Sequence, residues 1–399
     1  MRSIILYPYP PELDGLSIQG DMLYKGFLRH GYETAPCNRI ADIEKQFLYR
    51  TFKPDVAIGI GYWGDTPRLV QHPLKYGVQP VPWLNADGWV ANYHGVLDSL
   101  PLILTTSAWV RDIYHRDGVT NKNICPMPIG IDTQQMRPIP KDDPRVVYIR
   151  NMLGVKPDEK MILTAGGDTT SKGFQEVLQA LGKINGDFPN WKYVGKTWEK
   201  GKPYYHYKKE LSIMRDYDIR RKVKFIDGPL SREFMCCLLS ACDVYAAPSR
   251  IEGFGMVQIE AMACGKPVLS IDAMGIKDTV IHGETGFLAK VGEEVKLGEE
   301  WAYSWMGFNK KQKIKFDQPK TFAYRADIDD IAKHMYKLLS DDELRSKMGE
   351  NARRHAVQNY DFVKTSKDLH DLVEKKLGLN GKKSNGAAKK EATVSVRER

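Results

Sequence analysis

Two glutamates eight residues apart, Glu252 and Glu260, carry the clearest chemical signal in this 399-residue chain. They sit in Ser249-Arg250-Ile251-Glu252-Gly253-Phe254-Gly255-Met256-Val257-Gln258-Ile259-Glu260-Ala261-Met262-Ala263-Cys264-Gly265-Lys266-Pro267-Val268. The pattern reads as a strand over 243–247, a loop with two glycines, a helix over 256–264, and a Gly-Lys-Pro turn into another strand. Glycines let the backbone approach a ligand closely, and a helix start offers free N–H groups and the positive end of its dipole. Such a loop is a seat for a diphosphate. One carboxylate in the loop and one just over a turn into the helix reach the same ligand from different sides. Carboxylates suit sugar and ribose hydroxyls because they accept two hydrogen bonds in a fixed geometry.

These residues need a scaffold, and the rest of the chain supplies its pattern. Short apolar, β-branched runs alternate with helical stretches, which argues for parallel sheets with crossover helices. The strands read 3–7, 55–60, 78–84, 102–107 and 123–128 in the first half. In the second half they read 160–166, 191–194, 223–226, 243–247, 267–272 and 286–289. Helices read 18–30, closed by Gly31, and then 172–181, 231–241 and 256–264. Pro138, Pro140 and Pro144 punctuate a polar linker. The division is therefore 1–140 and 141–358, each a Rossmann-like unit, a helical segment 359–379, and a basic tail 380–399 of disordered composition. Residues 293–320 interrupt the second array. Their aromatic start (Trp301, Tyr303, Trp305, Phe308) and lysine-rich end (Lys310, Lys311, Lys313, Lys315) predict an amphipathic helix and a basic loop, packed over its own domain or touching membrane or acceptor.

Composition narrows the classes. No apolar run approaches the roughly 20 residues of a membrane-spanning helix. Six cysteines without metal-site spacing point to a reducing cytoplasm. The net charge of +9 is unevenly placed: residues 1–140 hold 13 basic and 13 acidic side chains, whereas 192–224 hold eleven and four. The neutral first half argues against strong docking on anionic membrane, and the 192–224 cluster allows at most a peripheral contact. No zinc-finger spacing or aromatic RNP-type motif accompanies the charge, so nucleic acid is not an expected partner.

With Pro248-Ser249 before it, Gly-Phe-Gly inside it and Ala-Met-Ala-Cys-Gly-Lys-Pro-Val after it, the Glu-x7-Glu segment resembles the signature of the family-4 retaining glycosyltransferases. Other segments match in family order. They are Asp14-Gly15-Leu16-Ser17-Ile18-Gln19-Gly20, Thr106-Ser107, Pro128-Ile129-Gly130-Ile131-Asp132, His282-Gly283-Glu284-Thr285-Gly286-Phe287-Leu288 and Tyr360-Asp361-Phe362. The resemblance implies an α/β chain of the GT-B fold: two facing Rossmann-like domains with parallel sheets, and a C-terminal helix crossing back to the first domain. It covers nearly the whole chain except 293–320 and the tail.

The resemblance also implies roles. Glu252 would hold hydroxyls of the donor sugar and Glu260 the nucleotide ribose. Lys172, Gly15, Gly167 and the backbone of Gly253, Phe254, Gly255, Met256 and Val257 would line the diphosphate. In Ala165-Gly166-Gly167-Asp168-Thr169-Thr170-Ser171-Lys172-Gly173 the family's arginine is replaced by Gly167. Either Lys172 suffices with helix N-termini, or a cation from elsewhere, such as Lys196, fills in. The family's histidine after strand 78–84 is missing too, and Asn85 or Asp87 takes its place as a catalytic candidate, with His94 a few residues on. The implied reaction moves a sugar from a UDP- or GDP-sugar to a hydroxyl of a glycan, lipid or small molecule, with retention, no metal and no cofactor. A sugar phosphorylase, a nucleotide-sugar epimerase and a non-catalytic nucleotide-sugar-binding protein are the alternatives. Glu260→Ala is expected to cripple turnover with the fold intact.

Overall fold

The computed structural model describes residues 1–86, 88–167, 170–197 and 204–379. Asp87 and the tail 380–399 lie outside the described residues.

In the first half the chain runs β1 (Ser3–Tyr7), α1 (Gly15–Arg29), β2 (Thr34–Asn38), α2 (Asp42–Thr51), β3 (Val56–Tyr62), α3 (His72–Lys75), β4 (Gln79–Asn85), α4 (His94–Asp98), β5 (Ile103–Thr105), α5 (Ala108–Arg116) and β6 (Ile124–Pro126). Its sheet has the order β2-β1-β3-β4-β5-β6 and is parallel throughout. β1 is buried at every position, as a central parallel strand covered on both faces must be. Sequence patterning missed β2: Pro36 and Asn38 break its apolar run. They are tolerated because β2 is an edge strand.

The second half runs α6 (Pro144–Met152), β7 (Lys160–Ala165), α7 (Phe174–Ile184), β8 (Trp191–Lys196), α8 (Tyr204–Asp216), β9 (Val223–Ile226), α9 (Arg232–Ala241), β10 (Val244–Ala246), α10 (Met256–Ala263), β11 (Val268–Ile271) and β12 (Gly286–Ala289). Its sheet, β12-β11-β10-β7-β8-β9, is also parallel. Strand order reverses between β7 and β10, and ligands of open α/β sheets bind at the carboxyl ends of strands flanking that switch point. The Gly166–Lys172 loop follows β7 and the Glu252 loop follows β10, so topology places both at the switch.

A hairpin follows, β13 (Val291–Ala302) and β14 (Gln312–Ala326), and then helices α11 (Ile328–Ser340), α12 (Asp342–Tyr360) and α13 (Phe362–Leu377). α13 crosses back and packs on α1. Gly26 is needed there, since a Cβ would lie 2.0 Å from Ser366 Oγ. The amino terminus of Met1 pairs with Glu374 at 3.2 Å, and His370 stacks on Tyr32 with centroids 3.7 Å apart. Arg353 on α12 pins the interdomain segment, donating to the carbonyls of Thr133, Met136 and Ala263.

The hairpin corrects the expected amphipathic helix over 293–320. Its strands alternate with period two, Ile314 and Phe316 turned inward between exposed Lys313 and Lys315, which is strand patterning. It does not pack over its own domain alone. Ala302, Met306 and Phe322 join the core of the first domain, where Phe316 and Phe322 lie 5.9 and 6.1 Å from the Trp89 ring. Lys320 reaches Asp117 at 2.9 Å. The base of the hairpin stays on the second domain, where Tyr324 N donates to Arg250 O (2.8 Å) and Arg325 pairs with Glu176 (2.8 Å). The hairpin is a strap between the domains. Phe322→Ala should therefore cost about 3 kcal/mol in chemical denaturation, the range for emptying an aromatic core site; a loss below about 1 kcal/mol would show that the strap is not packed.

No helix among the described residues is long and apolar enough to cross a membrane.

Candidate active site

The Glu252 loop leaves β10 at Ala247 and is fixed at each step. Ser249 N donates to Ala247 O (2.8 Å) and Arg250 N to Ser171 O (2.8 Å), which ties this loop to the one after β7. Arg250 itself is held by Glu176, a buried carboxylate on α7, at 2.7 Å. Glu252 then uses both oxygens: Oε2 accepts from Lys172 Nζ at 2.6 Å, and Oε1 from Gly255 N at 3.1 Å. The pairing sets Lys172 and Glu252 side by side at the switch point. Gly166 permits it, because a Cβ there would collide with Lys172 Cγ at 2.4 Å.

Gly255 is the N-cap of α10 with φ 91°, and no side chain caps the helix. Its first amides, at Met256 and Val257, are the orphan donors that make a helix start an anion seat. Gly255→Ala should lower the thermal midpoint and weaken anion binding at the helix start together. The left-handed backbone costs about 1–2 kcal/mol for an L-residue, and the new Cβ would meet Ile276 Cδ1 at 2.8 Å. An alanine variant matching the parent in both measurements would show that the turn does not need glycine. Phe254 is buried, its ring edge-on to Tyr360 at 5.9 Å, and acts as an anchor for the loop.

Glu260 is 2% exposed and does not stand alone. Arg232, the first residue of α9, pairs with its Oε1 at 2.7 Å. Burial of the guanidinium opposes its charge, but the Glu260 carboxylate beside it raises its pKa above the ordinary arginine value. The pair links α9 to α10 across the same face of the sheet. Sequence reasoning did not find Arg232, since the partners lie on separate helices and no local spacing joins them.

The opposite wall belongs to the first domain. A Cβ on Gly15, the first residue of α1, would lie 3.9 Å from Met256 Sδ. A Cβ on Gly253 would lie 3.3 Å from Asn85 Oδ1 and 3.5 Å from Thr106 Oγ1. The domains thus face each other across the two glycine loops. Asn85 is oriented by neighbours: Oδ1 accepts from Thr106 Oγ1 (2.8 Å), Nδ2 donates to Gln19 Oε1 (3.4 Å), and its carbonyl accepts from Tyr114 OH (3.0 Å). Gln19 and Thr106 are positioning residues that sequence motifs touched without assigning. Ala108 N donates to Asp278 Oδ2 at 2.7 Å and closes the seam.

His94 does not join this set. His94 lies 2.9 Å from Asp117 O beyond the last turn of α5, the end of that helix away from the cleft. Asp87 falls outside the described residues. Gly167 lies beside the site, its carbonyl accepting from Thr197 Oγ1 at 3.1 Å, and Asp168 and Thr169 after it are outside the described residues.

The whole fold resembles sucrose-phosphate synthase from Thermosynechococcus elongatus, with a TM-score of 0.71 and 16% identity over 95% of this chain and 100% of that one. It also resembles HepE of Anabaena in complex with UDP and glucose, with a TM-score of 0.69 and 15% identity over 94% and 100%. At such identities the likeness is one of fold, and the fold is GT-B. Residues 148–302, which hold the β7 loop, Arg232 and the entire Glu252–Glu260 segment, match the model of the glycosyl transferases group 1. The match lies within the second half of the chain. Two curated proteins are similar over part of their length. N-acetyl-alpha-D-glucosaminyl L-malate synthase of Bacillus anthracis is 25% identical over 234 residues, 55% of this chain and 48% of that protein. D-inositol 3-phosphate glycosyltransferase of Xylanimonas cellulosilytica is 28% identical over 188 residues, 47% of this chain and 44% of that one. The chain thus spans about half the length of these curated relatives.

Proposed function

We propose that this chain is a retaining glycosyltransferase that moves a sugar from a nucleoside-diphosphate sugar to a hydroxyl of a glycan, lipid or small-molecule acceptor. The carrying observation is the Lys172–Glu252 pair at 2.6 Å, set at the switch point of the second sheet and facing Asn85 across Gly253. The diphosphate takes Lys172 Nζ and the first amides of α10. Glu252 turns to the donor sugar's hydroxyls, and Glu260, steadied by Arg232, accepts from the ribose. Asn85 meets the sugar from the first domain.

The bond from the anomeric carbon to the phosphate oxygen breaks, and its electron pair stays on the diphosphate. The acceptor oxygen bonds to the same face of that carbon, and its proton passes to the departing phosphate. Charge develops on the leaving group, and fixed cations and amides already aimed there stabilise it without reorganisation. No metal is needed in this reading. UDP is the first nucleotide to test, because the fold neighbour HepE is described in complex with UDP and glucose. We place the reaction in the cytoplasm, with the six free cysteines in keeping with a reducing compartment. Any peripheral membrane contact falls to the basic stretch 192–224.

A thermal-shift panel of UDP, GDP, ADP and their sugars tests the donor assignment. A ligand at 100 times its Kd adds about 2.7 kcal/mol of stability, and a panel without a single shift would end the reading. Anomeric configuration of the product, read by NMR, tests retention; an inverted product would overturn it.

A further inference from the structure

The cations beside the glutamate loop each meet a carboxylate. Lys172 answers Glu252 at 2.6 Å, Arg232 answers Glu260 at 2.7 Å and Arg250 answers Glu176 at 2.7 Å. Their charge is offset inside the protein. Lys196 breaks the pattern. It is the last residue of β8 and is half-buried; among the described residues its ammonium pairs with no carboxylate, and desolvation alone pushes its pKa down from the ordinary value.

Its place in the sheet is specific. Lys196 stands in register with Ala165 at the end of β7, directly before Gly166 and Gly167. Gly166 N donates to Lys196 O at 3.0 Å, and the next residue, Thr197, donates its Oγ1 to Gly167 O at 3.1 Å. Side chains alternate along a strand, so Lys196 shares a face with Val194 and not with Tyr193. Val194 belongs to the core beneath α9 and α10, whereas Tyr193 belongs to the core beneath α7. Lys196 therefore lies at the carboxyl edge of the sheet, on the face whose helices carry Arg232 and Glu260, and beside the glycine that stands where a cation is missing. An ammonium taken partly out of water without a counter-ion is costly, and a ligand anion relieves that cost.

We propose that Lys196 is a catalytic residue that binds the donor diphosphate and supplies the positive charge that Gly167 cannot. The assignment rests on the nucleoside-diphosphate-sugar reading given above. When the glycosyl bond breaks and its electron pair stays on the diphosphate, Lys196 and Lys172 neutralise that charge together, one from the end of β8 and one from the loop after β7.

The test compares the parent with Lys196→Met and Lys196→Arg. Calorimetry is run with whichever of UDP, GDP and ADP the parent binds most tightly, and with the matching nucleoside; turnover is measured alongside. Losing one charge-assisted contact to phosphate should weaken diphosphate binding by about ten- to hundredfold in the methionine variant. The nucleoside should bind it as it binds the parent, which also reports that the site is folded. Arginine should keep most of the diphosphate affinity. The methionine variant should melt no lower than the parent, because a half-buried charge with no carboxylate partner among the described residues has been removed; a lysine with only a structural role would lose stability and leave diphosphate selectivity unmoved. Diphosphate affinity within twofold of the parent in Lys196→Met would overturn the proposal while leaving the donor reading in place. A parent that binds none of the three diphosphates would overturn both. Adding Gly167→Arg to the methionine variant should restore diphosphate affinity, and a further loss there would count against the shared position.

Discussion

Lys172→Met should lower turnover by about 10²–10³-fold, the scale seen when one preorganised group is removed from developing negative charge. The fold should survive the change. The Lys172 side chain is 24% exposed, and its pair with Glu252 is partly open to solvent, where such pairs contribute about 1 kcal/mol or less. Methionine keeps the aliphatic stem that packs on Gly166, so the substitution removes the charge and little else. The loss should appear mainly in kcat, since the diphosphate carries more charge as it leaves than in the bound donor. Single-turnover kinetics on a folded variant checks this. A change below about tenfold would move the leaving-group role to another cation, and Lys196 would be the first to examine.

The second large effect is at Glu260, where structure alters what sequence reasoning expects. Glu260→Ala was expected to stop turnover without touching the fold. With Arg232 2.7 Å from its Oε1 and the carboxylate 2% exposed, a cost in stability joins the expected loss of turnover. Alanine would strand a half-buried guanidinium, and breaking a buried pair from one side costs several kcal/mol; the 22% exposure of the Arg232 side chain brings the expected loss to about 2 kcal/mol. Glu260→Gln is the cleaner probe, because it keeps the shape and one acceptor. We expect it to lower turnover by about a hundredfold, with a stability loss of about 1 kcal/mol. Urea titration and steady-state kinetics separate the two terms. Folded Glu260→Gln turning over at the parental rate would show that this carboxylate does not hold the donor.

Arg232→Lys completes the pair. A lysine keeps the charge but not the planar fork that holds a carboxylate in one plane. Turnover falling with stability retained would mark Arg232 as a residue that acts through Glu260.

Much of the candidate site is legible in residue order because its parts are local. Glu252, the two glycines and Glu260 lie in one loop–helix unit, whereas α1 starts at Gly15 and not at the expected residue 18, because Asp14 caps Leu16 N and Ser17 N. Spacing along a single unit is what sequence patterning reads well. The hairpin's signal is the two-residue alternation at Lys313-Ile314-Lys315-Phe316, which its aromatic and lysine content masks. β2 was missed because an edge strand need not follow the rule of a buried one.

By itself, the order of residues determined two Rossmann-like halves and the glycine loop that separates Glu252 from the helix carrying Glu260, since these follow from local periodicity, glycine and helix starts. Only the tertiary structure decided which charges meet. Arg232 reaches Glu260, Arg250 and Arg325 share Glu176, and Lys196 meets no carboxylate among the described residues because β8, α9 and the hairpin converge from distant parts of the chain. Electrostatics depends on distance in space and on burial. Neither is written in the spacing of residues along a strand or helix, and both arise when the parallel sheets close around their switch points.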